Sequence, residues 1–543
     1  MSRRKEEPIN LDAILAELGS FGRYQMMTYA FIQLPIMFSA IFASQYIFAA
    51  GAVDYRCIVP ECEASNTTEF VPGAWGEWAL PAGGRCDRLV PLDGSCSAAS
   101  FSPNLTQPCT AWVYESDHTI VAEFGLACQE WKRTLVGTIH NAGVFAALAI
   151  TALVSDTFGR KTAFICTAVS SGVVGIIRAF VNSYPVYLFL EFMDATVGAG
   201  VYSTGFILAL EMVGLKRRVL GGNIISSTFA VGQVVVALVA WAFPYWRHLT
   251  LVIYSPVLLF VLYYFVVEES VRWLLSKGRK KEAARIIFKA AEINRKKLSP
   301  ASIKMLTEEP EPEKRNSDAG SSENEPPQPS VFMQVIKSKT LVVRVVIVSF
   351  WWITLTFIYY GLSINSVTLA GNMYVNFILT SLVEIPGYFL SFLTLDRFGR
   401  KRSIITAFFI CGIALIALPF VPTELNWLQI TLNMIGKLSI SMAFSSIYIY
   451  TSELFPTEAR HSLLGACSMF GRVGSLLAPQ TPLLMEYMEA LPYLIFGIMA
   501  ACSGLLMLLT PETLRIRLPD TVAQAENIEA ASRTRKQTNT VAD

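Results

Sequence analysis

Asp156-Thr-Phe-Gly-Arg-Lys161 returns 240 residues later as Asp396-Arg-Phe-Gly-Arg-Lys401, each copy following a long apolar run. Two further echoes keep that register. Glu211 with Arg218 recurs as Glu453 with Arg460, and Glu269-Ser270 recurs as Glu512-Thr513, at offsets of 242 and 243. Three echoes at offsets within three residues of one another mean that the second half of the chain duplicates the first, the internal symmetry of parallel-repeat membrane folds.

Outward from these motifs, apolar runs fall at 24–50, 134–154, 164–182, 186–211, 219–242 and 247–267, then at 341–362, 373–394, 404–422, 427–451, 462–484 and 489–510. Each approaches or exceeds the roughly 20 residues that carry a helix across a bilayer. Unpaired backbone groups cost several kcal/mol in hydrocarbon, and a barrel would show short alternating strands instead. The expected fold is therefore all-α and integral to the membrane, with twelve transmembrane helices in two six-helix pseudo-symmetric halves. Composition agrees, at 53% hydrophobic and only 16% charged residues with mean hydropathy +0.45. A net charge of +2 provides no field for nucleic acid. The first run is too long, and preceded by too many polar residues, for a cleavable signal peptide.

Short loops rich in Lys and Arg stay in the cytoplasm. Arg160 and Lys161, Lys216 to Arg218, and Arg397 to Arg402 all fall on one side of the expected topology, so both termini are expected there too. The parts are then a cytoplasmic N-terminus (1–23), a six-helix half (24–267), a cytoplasmic linker (268–340), a second half (341–510) and a cytoplasmic tail (511–543). The long loop at 51–133 lies outside and holds Cys57, Cys62, Cys86, Cys96, Cys109 and Cys128, an even set that predicts disulfides without fixing their pairing. It also holds both N-x-S/T sequons, at Asn66 and Asn104, as expected of a glycosylated surface loop. In the linker, Val271–Lys297 reads as an amphipathic helix skimming the membrane, whereas Glu308–Pro329 has the Glu, Pro and Ser content of a disordered stretch.

Two parallel six-helix halves are the layout of secondary transporters, whose substrate sites lie near the midplane. The repeated Asp156, Arg160, Glu211, Arg218 and Asp396, Arg400, Glu453, Arg460 are expected to form charge-assisted pairs that hold the halves together when the carrier opens outward.

Together with the loop and the repeated motifs, Val231-Gly-Gln233, Glu269-Ser-Val-Arg-Trp-Leu274, Tyr359-Tyr-Gly361 and Glu453-Leu-Phe-Pro-Thr457 make the chain resemble the major facilitator superfamily, and within it the organic cation, organic anion and carnitine transporters of solute carrier family 22. The chain departs from that pattern at Ala152, in place of a glycine, and at Glu191-Phe-Met-Asp194, in place of a basic or neutral segment.

Ionisable residues inside spans are expensive, about 2.5–3.5 kcal/mol each on insertion scales, and are functional candidates by default. Asp194, Glu384, Lys437 and Arg472 are those candidates, while Arg178 and Glu191, nearer span ends, are read as interfacial snorkelling residues. The resemblance implies that an arginine at position 472 suits anion and carnitine carriers, whereas Val383-Glu384-Ile-Pro386 looks like cation and carnitine members. Tyr359, Tyr360, Trp352 and Gln233 complete the expected substrate pocket, because a ring face attracts an ammonium group by about 0.5–2 kcal/mol. The expected substrate is a small organic ion, a cation or carnitine-like zwitterion, moved by alternating access; an organic anion is the alternative. A receptor that keeps the scaffold without transporting is a different class of reading. The expected setting is the plasma membrane, with a coupling ion possible. No phosphate loop, zinc-protease motif or nucleophile elbow occurs, and the four histidines, His118, His140, His248 and His461, lie in separate segments. No enzyme activity, metal or cofactor is expected.

Overall fold

The structure is a computed structural model. It describes residues 11–19, 21–64, 67–81, 84–213, 218–307, 331–422, 424–514, 516 and 518–528, with backbone alone at 218, 219, 331, 332 and 461. Asn66, the Glu308–Pro329 stretch and the side chain of Arg218 lie outside these described residues.

Among the described residues ten helical runs are long and apolar enough to cross a membrane: Arg23–Ala49, Glu130–Phe158, Arg160–Arg178, Tyr184–Glu211, Leu220–Ala242, Trp246–Val266, Lys339–Thr368, Met373–Phe398, Arg400–Phe420 and Asn426–Leu454. They are the first to tenth spans below. Arg460–Leu477, prolonged by Ala478–Gln480 and Thr481–Tyr487, and Leu491–Met507 take the eleventh and twelfth places. These two fall short in apolarity or length: Arg460–Leu477 carries Arg460, Arg472 and several Ser and Gly, and Leu491–Met507 has only 17 residues.

Two spans are interrupted. The fourth breaks at Ala199, between Gly198 and Gly200. The eighth breaks at Val383, between Met373–Leu382 and Glu384–Phe398. Pro386, in the turn that follows, has no N–H to offer the preceding turn, which accounts for that interruption. Asp194 and Glu384 thus stand beside irregular turns.

The first and second spans are joined by the cysteine-rich loop, built on two antiparallel ribbons. Tyr55–Cys57 pairs with Trp112–Tyr114, and Asp87–Pro91 pairs with Phe101–Pro108. Its apolar centre is small, chiefly Val59, Ala79 and Phe101, so covalent links must supply what a core cannot. Cys57–Cys109, Cys62–Cys96 and Cys86–Cys128 do so, with Cα separations of 5.7, 4.9 and 5.7 Å. Asn104 is exposed on the Phe101–Pro108 strand.

On the opposite face of the bundle the linker helix does not skim the bilayer as its amphipathic pattern suggests. Lys280–Asn294 lays Ile286, Ile287 and Ala290 against Leu11, Ile14 and Leu15 of the N-terminal helix Leu11–Glu17. That helix supplies the apolar cover that lipid would otherwise provide. Arg272 bonds Asp12, and the Glu17 carboxylate accepts from the Ser299 and Ser302 hydroxyls at 2.9 and 3.0 Å. The Ser299 backbone N–H, which donates to the same carboxylate at 3.0 Å, and then these hydroxyls hold the Glu17 carboxyl below its ordinary value.

The hydrogen bonds and ring contacts that join the two halves gather on the loop face. Thr134 bonds Gln480 at 3.1 Å, and Gln480 donates to Thr138 at 2.6 Å. Phe48 packs on Phe377, and Trp241 stacks on Tyr374, with centroids 5.1 and 5.8 Å apart. The bundle is closed on that side.

Peptide mapping without reduction should recover three linked pairs, 57 with 109, 62 with 96 and 86 with 128, and no alkylatable thiol among the six. In the chain-entropy account, loops closed over 34 to 52 residues are each worth about 4 kcal/mol. Replacing Cys57 and Cys109 together should therefore markedly lower the melting temperature of the solubilised protein. A different set of linked peptides would show that the loop is folded otherwise.

Candidate functional site

Each half encloses its own charges. In the second half Lys437, from the tenth span, lies 3.0 Å from Glu384 of the eighth. Its ammonium also donates to the Tyr359 carbonyl at 2.9 Å and the Ser363 hydroxyl at 2.7 Å, and it sits 3.4 Å above the Tyr359 ring. Glu384 in turn accepts from the hydroxyls of Tyr359 at 2.6 Å and Tyr388 at 3.0 Å. Both charged side chains are 0% exposed. The structure thus brings Glu384, Lys437 and Tyr359 together as a closed set tying the seventh, eighth and tenth spans, with no acid left facing a substrate.

The first half has a counterpart that the sequence reading missed. Arg178 and Glu191 do not snorkel; they are buried and paired with each other, and Arg178 also reaches Asp194 at 3.1 Å. Gln45 and the Tyr254 hydroxyl accept from the same guanidinium at 2.6 and 3.1 Å. Asp194 also accepts from Ser171 at 2.5 Å and from Tyr254, so it is bound within its own half. Glu191 and Asp194, three residues apart on one helix face, with Arg178 just before them, were the available sequence signal.

Arg472 differs. It is partly exposed and its guanidinium has no carboxylate within ion-pair distance among the described residues. It lies within electrostatic reach of Tyr448 of its own half and of Tyr202 of the other, and Tyr360 is within the same reach of Tyr202. Trp352 is buried edge-on to Tyr448 with centroids 4.5 Å apart, and Phe444 packs beside both. Tyr202 of the first half and Tyr448 of the second thus each lie within electrostatic reach of both Arg472 and Tyr360. Gln233 is buried in the fifth span with its carbonyl oxygen unpaired. Tyr202 and Phe444 carried no distinguishing mark in sequence, since single aromatics in membrane helices are common.

The repeated polar motifs sit on the face away from the loop, and their bonds close within a half, not between halves. Arg160 pairs with Asp156 at 2.7 Å and Glu211 at 3.8 Å; Arg400 pairs with Asp396 at 2.9 Å and Glu453 at 3.4 Å. Glu269 accepts from the backbone N–H of Arg160 at 2.9 Å and Lys161 at 3.1 Å, and Glu512 from those of Arg400 at 3.0 Å and Lys401 at 3.2 Å. A carboxylate there satisfies orphan donors at a helix N-terminus. Gly159 and Gly399 make this possible: their φ of +100° and +101° is left-handed territory, and a Cβ at either would strike the glutamate. Among the described residues Arg460 bonds the Thr457 hydroxyl at 3.2 Å and no acid. In this form, closed on the loop face, these charges make two separate clasps, one per half.

A family model described as "Sugar (and other) transporter" matches residues 100–520. The chain is 35% identical over 529 residues to the organic cation transporter protein of Drosophila melanogaster, covering 95% of this chain and 94% of that protein. It is 31% identical to solute carrier family 22 member 1 of Bos taurus, over 96% of this chain and 93% of that one. Among solved structures, the inward-open xylose transporter XylE from E. coli superposes with a TM-score of 0.58 at 15% identity, over 93% of this chain and all of that one, a likeness of fold. These relatives are transporters, not enzymes.

Removing one partner of a buried pair strands the other, at about 3–5 kcal/mol. Lys437→Ala should therefore lower the melting temperature and surface delivery strongly. Lys437→Met with Glu384→Gln should recover most of the loss in a thermal-shift assay. A single variant as stable as wild type would show that the pair is open to solvent.

Proposed function

This chain belongs to the sugar (and other) transporter family and, through its relatives, to solute carrier family 22, and on that footing we propose that it carries small zwitterionic organic ions of carnitine type across the plasma membrane by alternating access. The supporting observation is Arg472. Every other intramembrane charge named above has a bonded counter-charge within its own half, whereas this guanidinium faces the interior beside tyrosine rings.

A guanidinium grips a carboxylate through two parallel hydrogen bonds. Tyr202, Tyr360 and Tyr448 then offer ring faces to the other end of the molecule, where each aromatic contact to an onium group contributes about 0.5–2 kcal/mol. The likeness to the organic cation transporter protein of Drosophila melanogaster supports the onium half of this reading, and Arg472 supports the carboxylate half. In the proposed orientation the cysteine-rich loop is extracellular and the termini are cytoplasmic, so closure on the loop face makes this an inward-facing form. Asn66 and Asn104 are the proposed glycan sites. Gln233 and Trp352 belong to the pocket wall, and Asp194, Glu384 and Lys437 support it from behind. The two clasps around Arg160 and Arg400 keep each half rigid as it rocks.

The test is a competition panel of labelled carnitine, a tetraalkylammonium and a dicarboxylate, taken up by cells expressing the protein. Losing one charge-assisted bond of about 1.5–3 kcal/mol corresponds to roughly ten- to a hundredfold in affinity. Arg472→Ala should therefore weaken carnitine and the dicarboxylate by that factor while sparing the tetraalkylammonium. Dicarboxylate uptake exceeding carnitine uptake would favour an anion carrier, and equal loss for all three probes would remove Arg472 from the pocket.

A further inference from the structure

Between the first and sixth spans lies an apolar groove of about 310 Å³ that opens outward from the bundle. Its shape follows from a local change of helix type. Pro256 has no N–H to offer the turn before it, and Pro256–Leu262 winds as a 3-10 helix before Tyr263–Val266 resumes the α form. Side chains three apart eclipse one another in such a helix. Val257 and Phe260 therefore both face the bundle, whereas Leu259 and Leu262 both face out. The opposite wall is one stripe of the first span, Phe31, Leu34 and Phe38. Phe31 meets Tyr263 and Phe38 meets Phe260, edge to face, with centroids 6.3 and 5.4 Å apart. These contacts close the groove behind and leave Leu34 and Leu259 at its open edges. Apart from the Tyr263 hydroxyl, every lining side chain is apolar.

The end of the groove away from the loop carries excess positive charge. The stripe on the first span runs on at helical spacing through Met27 to Arg23, which is exposed. Just after Val266 comes Glu268, which takes Arg285 at 3.4 Å and Lys289 at 2.7 Å from the linker helix. These two cations are one turn apart and share a face, and their side chains stay 70% and 49% exposed. Glu268 lies within electrostatic reach of Tyr24, whose N–H donates to Asn294 of the same linker helix at 2.8 Å. The charged knot therefore stands beside the start of the first span. Glu282, another acid of that helix, is held by Arg279 through two bonds of 2.7 Å. Among the described residues Arg23 has no carboxylate within ion-pair distance. Three cations are thus set against one carboxylate at the end of the groove.

An acyl chain gains little by leaving the bilayer for an apolar groove, because lipid tails are as apolar as leucine. Preference among lipids must come from the headgroup, and basic groups at a membrane surface attract anionic ones. A guanidinium fork also matches a phosphate. A sterol would leave the cations unanswered, and a soluble phosphate would leave the groove unfilled. We propose that one anionic phospholipid, from the leaflet on the side away from the cysteine-rich loop, seats an acyl chain in this groove and its phosphate against Arg23 and Arg285. The site belongs to the first half and the linker helix packed on it, so the lipid braces the first span against the sixth without joining the halves.

The experiment is native mass spectrometry of the purified full-length chain, released from micelles that carry equal amounts of phosphatidylserine and phosphatidylcholine with identical tails. Melting temperature is followed with each lipid separately. Wild type should retain one phosphatidylserine several-fold more than phosphatidylcholine and should melt higher with it. Arg23→Gln with Arg285→Gln leaves Lys289 on Glu268, so this variant should fold as wild type and hold the two lipids equally. Leu34→Trp and Leu259→Trp fill the groove from its two open edges, and each should lower retention of both lipids. Equal retention of the two lipids by wild type overturns the proposal, as does a phosphatidylserine preference that survives the double arginine variant. Wild-type retention by the tryptophan variants also overturns it, and so does glycerophosphoserine raising the melting temperature as much as the intact lipid, since the headgroup alone would then be the ligand. None of these readouts measures transport, so they stand or fall apart from the substrate reading.

Discussion

A charge that enters hydrocarbon must bring its counter-charge with it, and both halves of this bundle meet that demand internally. Lys437 with Glu384, and Arg178 with Glu191 and Asp194, each join several spans of one half, and among the described residues the surfaces between halves are nearly free of ion pairs. The hydrogen bonds and ring contacts that cross the interface on the loop face are neutral: threonine hydroxyls on Gln480 and aromatic contacts around Tyr374. Breaking a neutral hydrogen bond costs about 0.5–1.5 kcal/mol net, against about 3–5 for stranding one member of a buried pair. The bundle therefore separates most easily between its halves.

The same division governs the opposite face. Glu269 and Glu512 come from just beyond the last span of each half and close on the N–H groups at the start of the third and ninth spans. The glycine before each helix start leaves room for the carboxylate, so the DxxGRK turn is a socket for a distant glutamate as well as a topology signal. Its duplication follows from the need to fasten the final span of each half to that half's own interior.

How much of this could be read beforehand depends on what each feature requires. The spans were legible because crossing a bilayer demands a length and composition that sequence displays directly, and their observed limits differ mainly by a turn of polar residues where motifs cap the helices. The duplicated halves were legible because the socket needs particular residue types at fixed spacing. Pairing was not, because it depends on how each helix is rotated about its axis. Arg178 ends its span and so reads as snorkelling, yet it turns inward because Gln45, Glu191, Asp194 and Tyr254 wait there from three other spans. Lys437 and Glu384 were visible as costly residues, but that they neutralise each other follows only from the packing of the tenth span on the eighth. The disulfide partners were equally hidden, since six cysteines permit fifteen pairings.

On the proposed reading, the lack of a free acid beside Arg472 is a requirement of the site. A carboxylate within reach would pair with the guanidinium, as Glu384 does with Lys437, and would remove the group that recognises the substrate. An onium group can instead be met by rings, which attract positive charge without neutralising arginine. Three tyrosine faces at about 0.5–2 kcal/mol each match one charge-assisted bond of about 1.5–3 kcal/mol. Tyr202 comes from the first half while Tyr360 and Tyr448 come from the second, so that attraction is complete only when the halves enclose the substrate. Binding energy thereby favours the occluded form.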